Sequence, residues 1–395
     1  MENLEQKFQE NLSVTSRIVT QSPSSVRKYS DPIPVDLLIE IFSRLPRKSI
    51  DRFRCVSKLW RYILRRPDFT SIRPEILFTV KVDGKILFCS SPQPQNQDDN
   101  CTLVATPFHT SFPEYFPSNN CSTVCGLALL HRYDKRKGMV VCNPRTGAFQ
   151  TLPKLLMRDK STLLNEEIAR ISLGYDPISK QFKVLCVTSS PCDRPDTHQV
   201  LTLESGKPLW RRIECEFHFK KTYRMRGEIC INGVLYFGAW LGETYVVVCF
   251  DVRTERFGFI NLDKDMLGDD DGYVWGELAL FNYKGKLGLR EGTPYLSRED
   301  ELVLWMLEDA PNHKWSKHSY QLPRFLRYKW FVGMTSTGDI VFLSFPDHRS
   351  KLYFVYFFNP ERKTFATVNI QGFEEFKTWH TIRIFLDYME NLKFM

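Results

Sequence analysis

Carboxylates, imidazoles and thiols are the side chains through which this sequence could do chemistry, and each chemistry demands a spacing. The densest acidic cluster is Asp263, Asp265, Asp269, Asp270 and Asp271, followed by Gly272 and Glu277. A calcium loop of about twelve residues needs an oxygen ligand at its first position, a glycine at its sixth and a bidentate Glu at its last. With Gly272 as the sixth position, Leu267 falls on the first and Glu277 comes one residue early. A solvated acidic loop is expected there instead.

The eight histidines, among them His131, His198 and His218, show no HExxH or other paired spacing, so neither a zinc site nor a histidine-based catalytic pair is indicated. Eleven cysteines are scattered without a CxxC pair, and the nearest two, Cys121 and Cys125, lack a matching second pair. Buried free thiols in a reducing compartment are the expectation. No GxxxxGK phosphate loop occurs. Since no nucleophile, base and orienter can be assembled, the sequence points to a non-catalytic binding protein with no cofactor and no metal.

The charge balance narrows the partner class. Fifty-four basic against 46 acidic residues give a net charge of +8, without a Lys/Arg run long enough to track a phosphate backbone. Nucleic acid is not expected as a partner. Neither is a membrane: the longest apolar runs, Tyr245 to Phe250 and Leu352 to Phe358, are strand-sized, well short of the ~20 residues a spanning helix needs. The opening Met1-Glu2-Asn3-Leu4-Glu5 lacks a secretory pattern. A soluble, intracellular protein of the cytoplasm and/or nucleus is expected.

Three segments must hold whatever function remains. Residues 1–30 are polar and Ser/Gln/Asn-rich, which reads as a disordered tail. Leu4, Phe8 and Leu12 could mark at most a marginal short helix there. Residues 31–75 switch to helical periodicity and carry ten basic against six acidic side chains, which would steer an acidic partner or merely face solvent. Residues 76–395 consist of short apolar runs separated by Gly, Asn, Asp and Pro, the pattern of an all-β domain with many strands. The polar stretches 91–100 and 190–198 read as long loops within it.

That β region repeats. Asn232-Gly233, Lys284-Gly285 and Thr337-Gly338 each precede a strand-like run, with glycines 52 and 53 residues apart. A second apolar run follows each, and a turn and an aromatic close the unit: Asp251-Val252-Arg253-Thr254 before Phe257, Pro311-Asn312-His313-Lys314 before Trp315, and Asn359-Pro360-Glu361-Arg362 before Phe365. Asn143-Pro144-Arg145-Thr146 and Asp176-Pro177-Ile178-Ser179 look alike. Asx side chains favour such turns because they bond the backbone two residues on. A period near 50 residues matches kelch-like propeller blades, about six over this length, although a β-sandwich or an incomplete propeller also fits. Trp240, Trp275, Trp305, Trp330 and Trp379 are candidates for blade core or for a binding rim, with core expected for most.

In the helical segment, Ile33 to Pro46 reads as one helix, with Asp31 near its cap, Pro34 in its first turn and Pro46 as its stop. Leu37, Leu38, Ile41, Phe42 and Leu45 share a wide apolar face. A second short helix fits Ser49 to Phe53. A third begins at Ser57 and carries Trp60, Ile63 and Leu64. Three helices in so few residues bury little by themselves, so this face is expected to dock into a partner's groove.

The run Ile33-Pro34-x-Asp36-Leu37-x-x-Glu40-Ile41-Phe42-x-Arg44-Leu45-Pro46, then Arg52-Phe53-Arg54-Cys55-Val56-Ser57-Lys58-Leu59-Trp60, ending Pro67-Asp68-Phe69, resembles the F-box. With Leu173-Gly174-Tyr175-Asp176, Trp210-Arg211 and Ile231 to Tyr236 downstream, the chain is similar to plant F-box proteins that carry an F-box-associated domain. The resemblance implies an α+β multidomain chain, a small three-helix F-box (31–75) followed by a large all-β, propeller-like domain. It further implies a substrate receptor in a Skp, cullin and F-box ubiquitin ligase. Its partners would be a Skp-type adaptor, through it a cullin, and an unknown protein target.

Carried over by position, Pro34, Leu37, Leu38, Ile41, Leu45, Pro46, Val56 and Trp60 would form or support the adaptor surface. Leu45 and Trp60 could instead only hold the helices together. Ile33 stands where Leu is usual, and Asp51 at an often apolar position. Arg and aromatic residues favour interface hot spots, which nominates Tyr223, Arg224 and Arg226, and the Arg327 and Trp330 neighbourhood, for target contact. An F-box scaffold acting outside a ligase, and a propeller enzyme, are the rival readings.

Overall fold

The structure is a computed structural model that describes residues 33–43, 52–53, 55–64, 74–82, 85–94, 102–108, 112, 116–117, 120–131, 138–156, 167–189, 198–203, 208–222, 225–266, 278–291, 301–326, 329–344, 353–371 and 382–391. The chain divides into two compact units, Met1–Phe69 and Thr70–Met395. The expected tail 1–30, the acidic stretch 267–277 and most of the two expected loops lie outside the described residues.

In the first unit, helix α1 spans Val35–Ser43 and helix α2 spans Lys58–Ile63. The Pro34 carbonyl accepts from Leu38 N, opening α1. Ser57 caps α2 as its type suggests: its Oγ accepts from Trp60 N at 3.0 Å, satisfying an amide that has no partner within the helix. The expected helix at Ser49 to Phe53 is described only at Arg52 and Phe53, which are helical. Two helices of the first unit are thus described with their bounds, and a three-helix F-box is not shown among the described residues.

The second unit is a six-bladed β-propeller. Blade 1 is built of Glu75–Val82, Lys85–Pro92, Thr106–Pro107 and, from the far end of the chain, Ile382–Tyr388. Blades 2 to 6 begin with the strands Asn120–Val124, Glu167–Asp176, Glu228–Ile231, Leu278–Tyr283 and Trp330–Met334, and each continues as an antiparallel meander. These first strands and Ile382–Tyr388 pack successively on one another around the axis.

The core lies between blades, because a single small sheet cannot bury both of its faces. Ile171, Leu173 and Trp210 of blade 3 pack on Leu127 and Leu129 of blade 2. Across the next gap, Leu235, Phe237 and Phe250 of blade 4 pack against Leu185 and Val200 of blade 3. Phe342 and Phe358 of blade 6 meet Leu302 and Leu304 of blade 5. Indole N–H groups bridge between blades as well: Trp210 Nε1 donates to Pro153 O and Trp315 Nε1 to Asn261 O. Trp305 is buried, Trp240 and Trp330 are half-buried, and Trp275 and Trp379 lie outside the described residues.

The repeat seen in the sequence is two kinds of turn. Cys125-Gly126, Asn232-Gly233 and Lys284-Gly285 all have positive φ at both positions, the geometry that matches the twist of a tight hairpin. Asx turns start from Asn143, Asp176, Asp251, Asp309 and Asn359, whose side-chain oxygens accept from the amides of Arg145, Ile178, Thr254, Asn312 and Arg362; four of them precede the last meander strand of their blade, but the Asp176 turn joins the first two strands of blade 3, which corrects the blade close expected there. Four residues on, each has a left-handed residue: Gly147, Lys180, Glu255, His313 and Lys363. In blade 5 the turn begins at Asp309, so the frame expected from Pro311 is corrected by two residues.

Both ends of the propeller segment close the ring. Ile382–Tyr388 pairs antiparallel with Glu75–Val82, and Thr102–Val104 pairs in parallel with Thr364–Gln371 of blade 6. Beyond the last strand, Asn391 Nδ2 donates to Cys125 O, while Asn143 Nδ2 donates to Asn391 O at 2.7 Å. A Cβ at Gly126 would stand 2.3 Å from Asn391 N, so that close approach requires glycine.

Candidate functional site

Helix α1 has apolar residues on two sides, and among the described residues one side is buried and the other is about half exposed. Leu38 and Phe42, four residues apart, turn inward and are buried at 3% and 1% exposure, as are Ile63 and Leu64. Phe42, Phe53 and Trp60 form an aromatic cluster, with Phe42 and Trp60 centroids 4.9 Å apart edge to face and Phe53 and Trp60 5.4 Å apart. Leu37 and Ile41, the next pair at four-residue spacing, are 50% and 47% exposed. Ile33, Val35 and Val56 are exposed as well.

Of the residues nominated from sequence, Pro34, Leu37, Ile41 and Val56 are therefore on the surface. Leu38 is an internal packing residue, and Trp60 is half-buried against Phe42 and Phe53. Leu45 and Pro46 lie outside the described residues. Ile33, Val35 and Tyr62, also exposed, were not nominated, though a helical projection that separates the 37/41 stripe from the 38/42 stripe would have found Val35 and Ile33 beside it. Ile33, Val35, Leu37, Ile41 and Val56 thus stand as exposed aliphatic side chains on one short segment.

On the propeller, Tyr223 and Arg224 lie outside the described residues, as does Arg327. Arg226 pairs through its backbone with Ala279. Trp330 packs against the cluster between blades 6 and 1.

The propeller's buried ionisable groups are built into its walls. Burial pushes the His131 imidazole down to about 4, with Arg383 and Arg170 adding to the effect, and burial with a smaller contribution from His218 does the same for His198. His198 is stacked on Phe219, centroids 5.2 Å apart. Burial pushes the Cys89 and Cys121 thiols up to about 12, which disfavours the nucleophilic thiolate. Glu255, at the left-handed position of its turn, reaches from blade 4 to Lys183 Nζ at 2.6 Å and to Arg211, both of blade 3. Desolvation opposes its ionisation, but the bonds from Arg211 and Lys183 prevail and lower its pKa. Among the described residues no group of three His, Cys, Asp or Glu is placed to hold a metal, and no helix is long and apolar enough to cross a membrane.

Comparison with known proteins bears on both units. Residues 32–72 match the F-box domain and residues 75–389 match the F-box associated beta propeller domain. This chain is an F-box protein of the F-box associated beta propeller family. Among its Arabidopsis thaliana relatives, F-box protein At1g53790 is 41% identical over 92% of this chain and 82% of its own length. F-box protein At5g65850 is 38% identical over 100% and 99%, and F-box protein DOR 38% over 92% and 94%.

The matched description names a β propeller and not kelch repeats, which replaces the kelch-like expectation with the coarser term. Several solved structures resemble this F-box protein at low sequence identity. The beta-propeller domain of the Trilobed protease from Pyrococcus furiosus is 9% identical, with a TM-score of 0.28 over 71% of this chain and 93% of its own.

Proposed function

We propose that this F-box protein is the substrate-receiving subunit of a Skp, cullin and F-box ubiquitin ligase. Its F-box docks a Skp-type adaptor and through it a cullin, its propeller holds a protein target, and the ubiquitin-transfer chemistry is done by other subunits. The supporting observation is the second apolar stripe of α1: Leu37 and Ile41, with Ile33, Val35 and Val56 beside them, stand exposed while Leu38, Phe42, Ile63 and Leu64 already fill the unit's interior.

An amphipathic helix face of this kind fits an apolar groove on a partner, and each fully buried Leu or Ile stabilises the complex by about 1.5–3 kcal/mol before association costs. Pro34, Leu37, Ile41, Val56, Leu45 and Pro46 contribute the contact surface, with Leu38 and Trp60 supporting it from behind. On the propeller, the basic and aromatic segments containing Tyr223, Arg224, Arg226, Arg327 and Trp330 contribute to target contact.

The test is affinity purification from plant cells of the full chain and of a Leu37→Asp/Ile41→Asp variant. Adaptor and cullin co-purify with the first and are lost from the second, while partners held by the propeller stay with both. Recovery of adaptor without cullin from the unaltered chain would favour a scaffold acting outside a ligase. Equal recovery of adaptor by both chains would refute the docking face.

A further inference from the structure

The connection from blade 5 to blade 6 carries an exposed aromatic in a sequence stretch rich in cations. After the strand Lys314–Gln321, a single 3-10 turn at Arg324–Leu326 buries Leu326 between the blades and turns Phe325 outward, 52% exposed. Phe325 is not loose. Its ring lies 5.8 Å from Tyr356 and 5.9 Å from Phe365, centroid to centroid, and Phe365 is itself stacked on Phe358 at 4.5 Å. The shelf is thus fixed by the blade 6 core, which removes the ordering cost that a mobile side chain would add to binding.

The surroundings are cationic. Arg324 is exposed, and Lys329 Nζ stands over the Tyr356 ring at 5.6 Å. From Ala310 to Gly338 the sequence contains five Lys and Arg residues, Lys314, Lys317, Arg324, Arg327 and Lys329, and no Asp or Glu. The nearby carboxylates do little to cancel them: Glu308 pairs with Lys286 and Glu361 with Lys284, and both lysines lie outside that stretch. Glu301, opposite Gln321 on the adjoining strand, is a further carboxylate beside it.

We propose that this aromatic shelf, Phe325 on Tyr356 and Phe365 with Arg324 and Lys329 at its border, takes an acidic peptide segment of the target that lays an apolar side chain on the Phe325 ring. An exposed aromatic ringed by cations favours a partner with the opposite charge and an apolar anchor, the usual composition of an interface hot spot. The proposal rests on the reading of the propeller as a target receptor and specifies the chemistry of the target.

The test uses the full chain in complex with its adaptor and a displayed library of random twelve-residue peptides. Selection enriches peptides with Asp or Glu flanking Phe, Leu or Trp. Their binding, measured with fluorescein-labelled copies, weakens at least about tenfold in Phe325→Ser and again in Arg324→Glu/Lys329→Glu, and weakens with added salt. All these positions are half-buried or exposed, and unchanged adaptor binding and melting of the variants show that the loss is local. Enrichment without acidic bias, failure to enrich, or binding that ignores both variants overturns the proposal. Tighter binding of single-stranded RNA or of phosphatidylserine vesicles than of the selected peptides, through the same residues, also overturns it. Failure of the adaptor to bind the unaltered chain would count against the ligase reading instead, and leaves the peptide measurement to stand by itself.

Discussion

The carboxylate of Asp387, on the last strand of the chain, accepts hydrogen bonds from both the backbone N–H and the hydroxyl of Ser336 at the first turn of blade 6, each at 2.8 Å. The same residue accepts from Gln93 Nε2 and donates its own N–H to Gln93 Oε1 in blade 1. One residue therefore fastens the last blade to the first, from a left-handed backbone position at φ 51°. Asp387→Ala removes the charge-assisted bonds from Ser336, whose donors can turn to water, and the part-buried bond from Gln93, for an expected loss of about 1–2 kcal/mol. Chemical denaturation of the propeller should show it, with adaptor binding by the F-box unchanged.

Glu255 supplies a second contrast. Lys180, Glu255 and Lys363 occupy the same left-handed turn position in blades 3, 4 and 6, where glycine relieves strain. Lys363→Gly is expected to change stability by less than about 1 kcal/mol, of either sign. Glu255→Gly is expected to destabilise by about 3 kcal/mol, because it leaves the buried Lys183 without its carboxylate partner. Equal effects at the two sites would show that the inter-blade ion pair contributes nothing.

Acid should loosen the propeller in a defined window. His131 and His198 are held neutral down to about pH 4, whereas in the unfolded chain they protonate near their ordinary value of 6.5. Below 6.5 the unfolded state thus binds more protons, so stability falls as pH drops from about 6.5 to 4 and does not depend on these groups above it. The two together account for up to several kcal/mol across that window. Urea midpoints measured at about pH 7.5 and about pH 5 should differ accordingly, and His198→Phe, which keeps the stack on Phe219, should reduce the difference.

Much of this architecture is legible because local chemistry repeats. Asp251, Asn359, Asn143 and Asp176 announce their turns through side chains that bond the following amides, and Asn232-Gly233 and Lys284-Gly285 announce hairpins through φ preference. The blade 2 hairpin at Cys125-Gly126 is silent in the sequence because cysteine carries no such preference, and in blade 5 Pro311 masks the true start of the turn at Asp309. Ring closure is not legible at all: nothing local tells Ile382–Tyr388 to pair with Glu75–Val82, some 300 residues away. On α1, periodicity identifies an apolar helix but merges two stripes, so Leu38 groups with Leu37 although the two side chains point to different surroundings. Phe325 is marked only by Tyr356 and Phe365 beneath it.

Under the proposed function the outer stripe of α1 serves a partner, while the inner stripe fills the unit's own interior. Titration of a purified Skp-type adaptor into the full chain, and into Leu37→Ala/Ile41→Ala, separates the two roles. Removing two aliphatic anchors should cost about 3–5 kcal/mol of binding, an affinity loss of more than about a hundredfold, with the helical signal and the propeller melting preserved. Adaptor affinity within a factor of about three of the unaltered chain, with the fold intact, would contradict it.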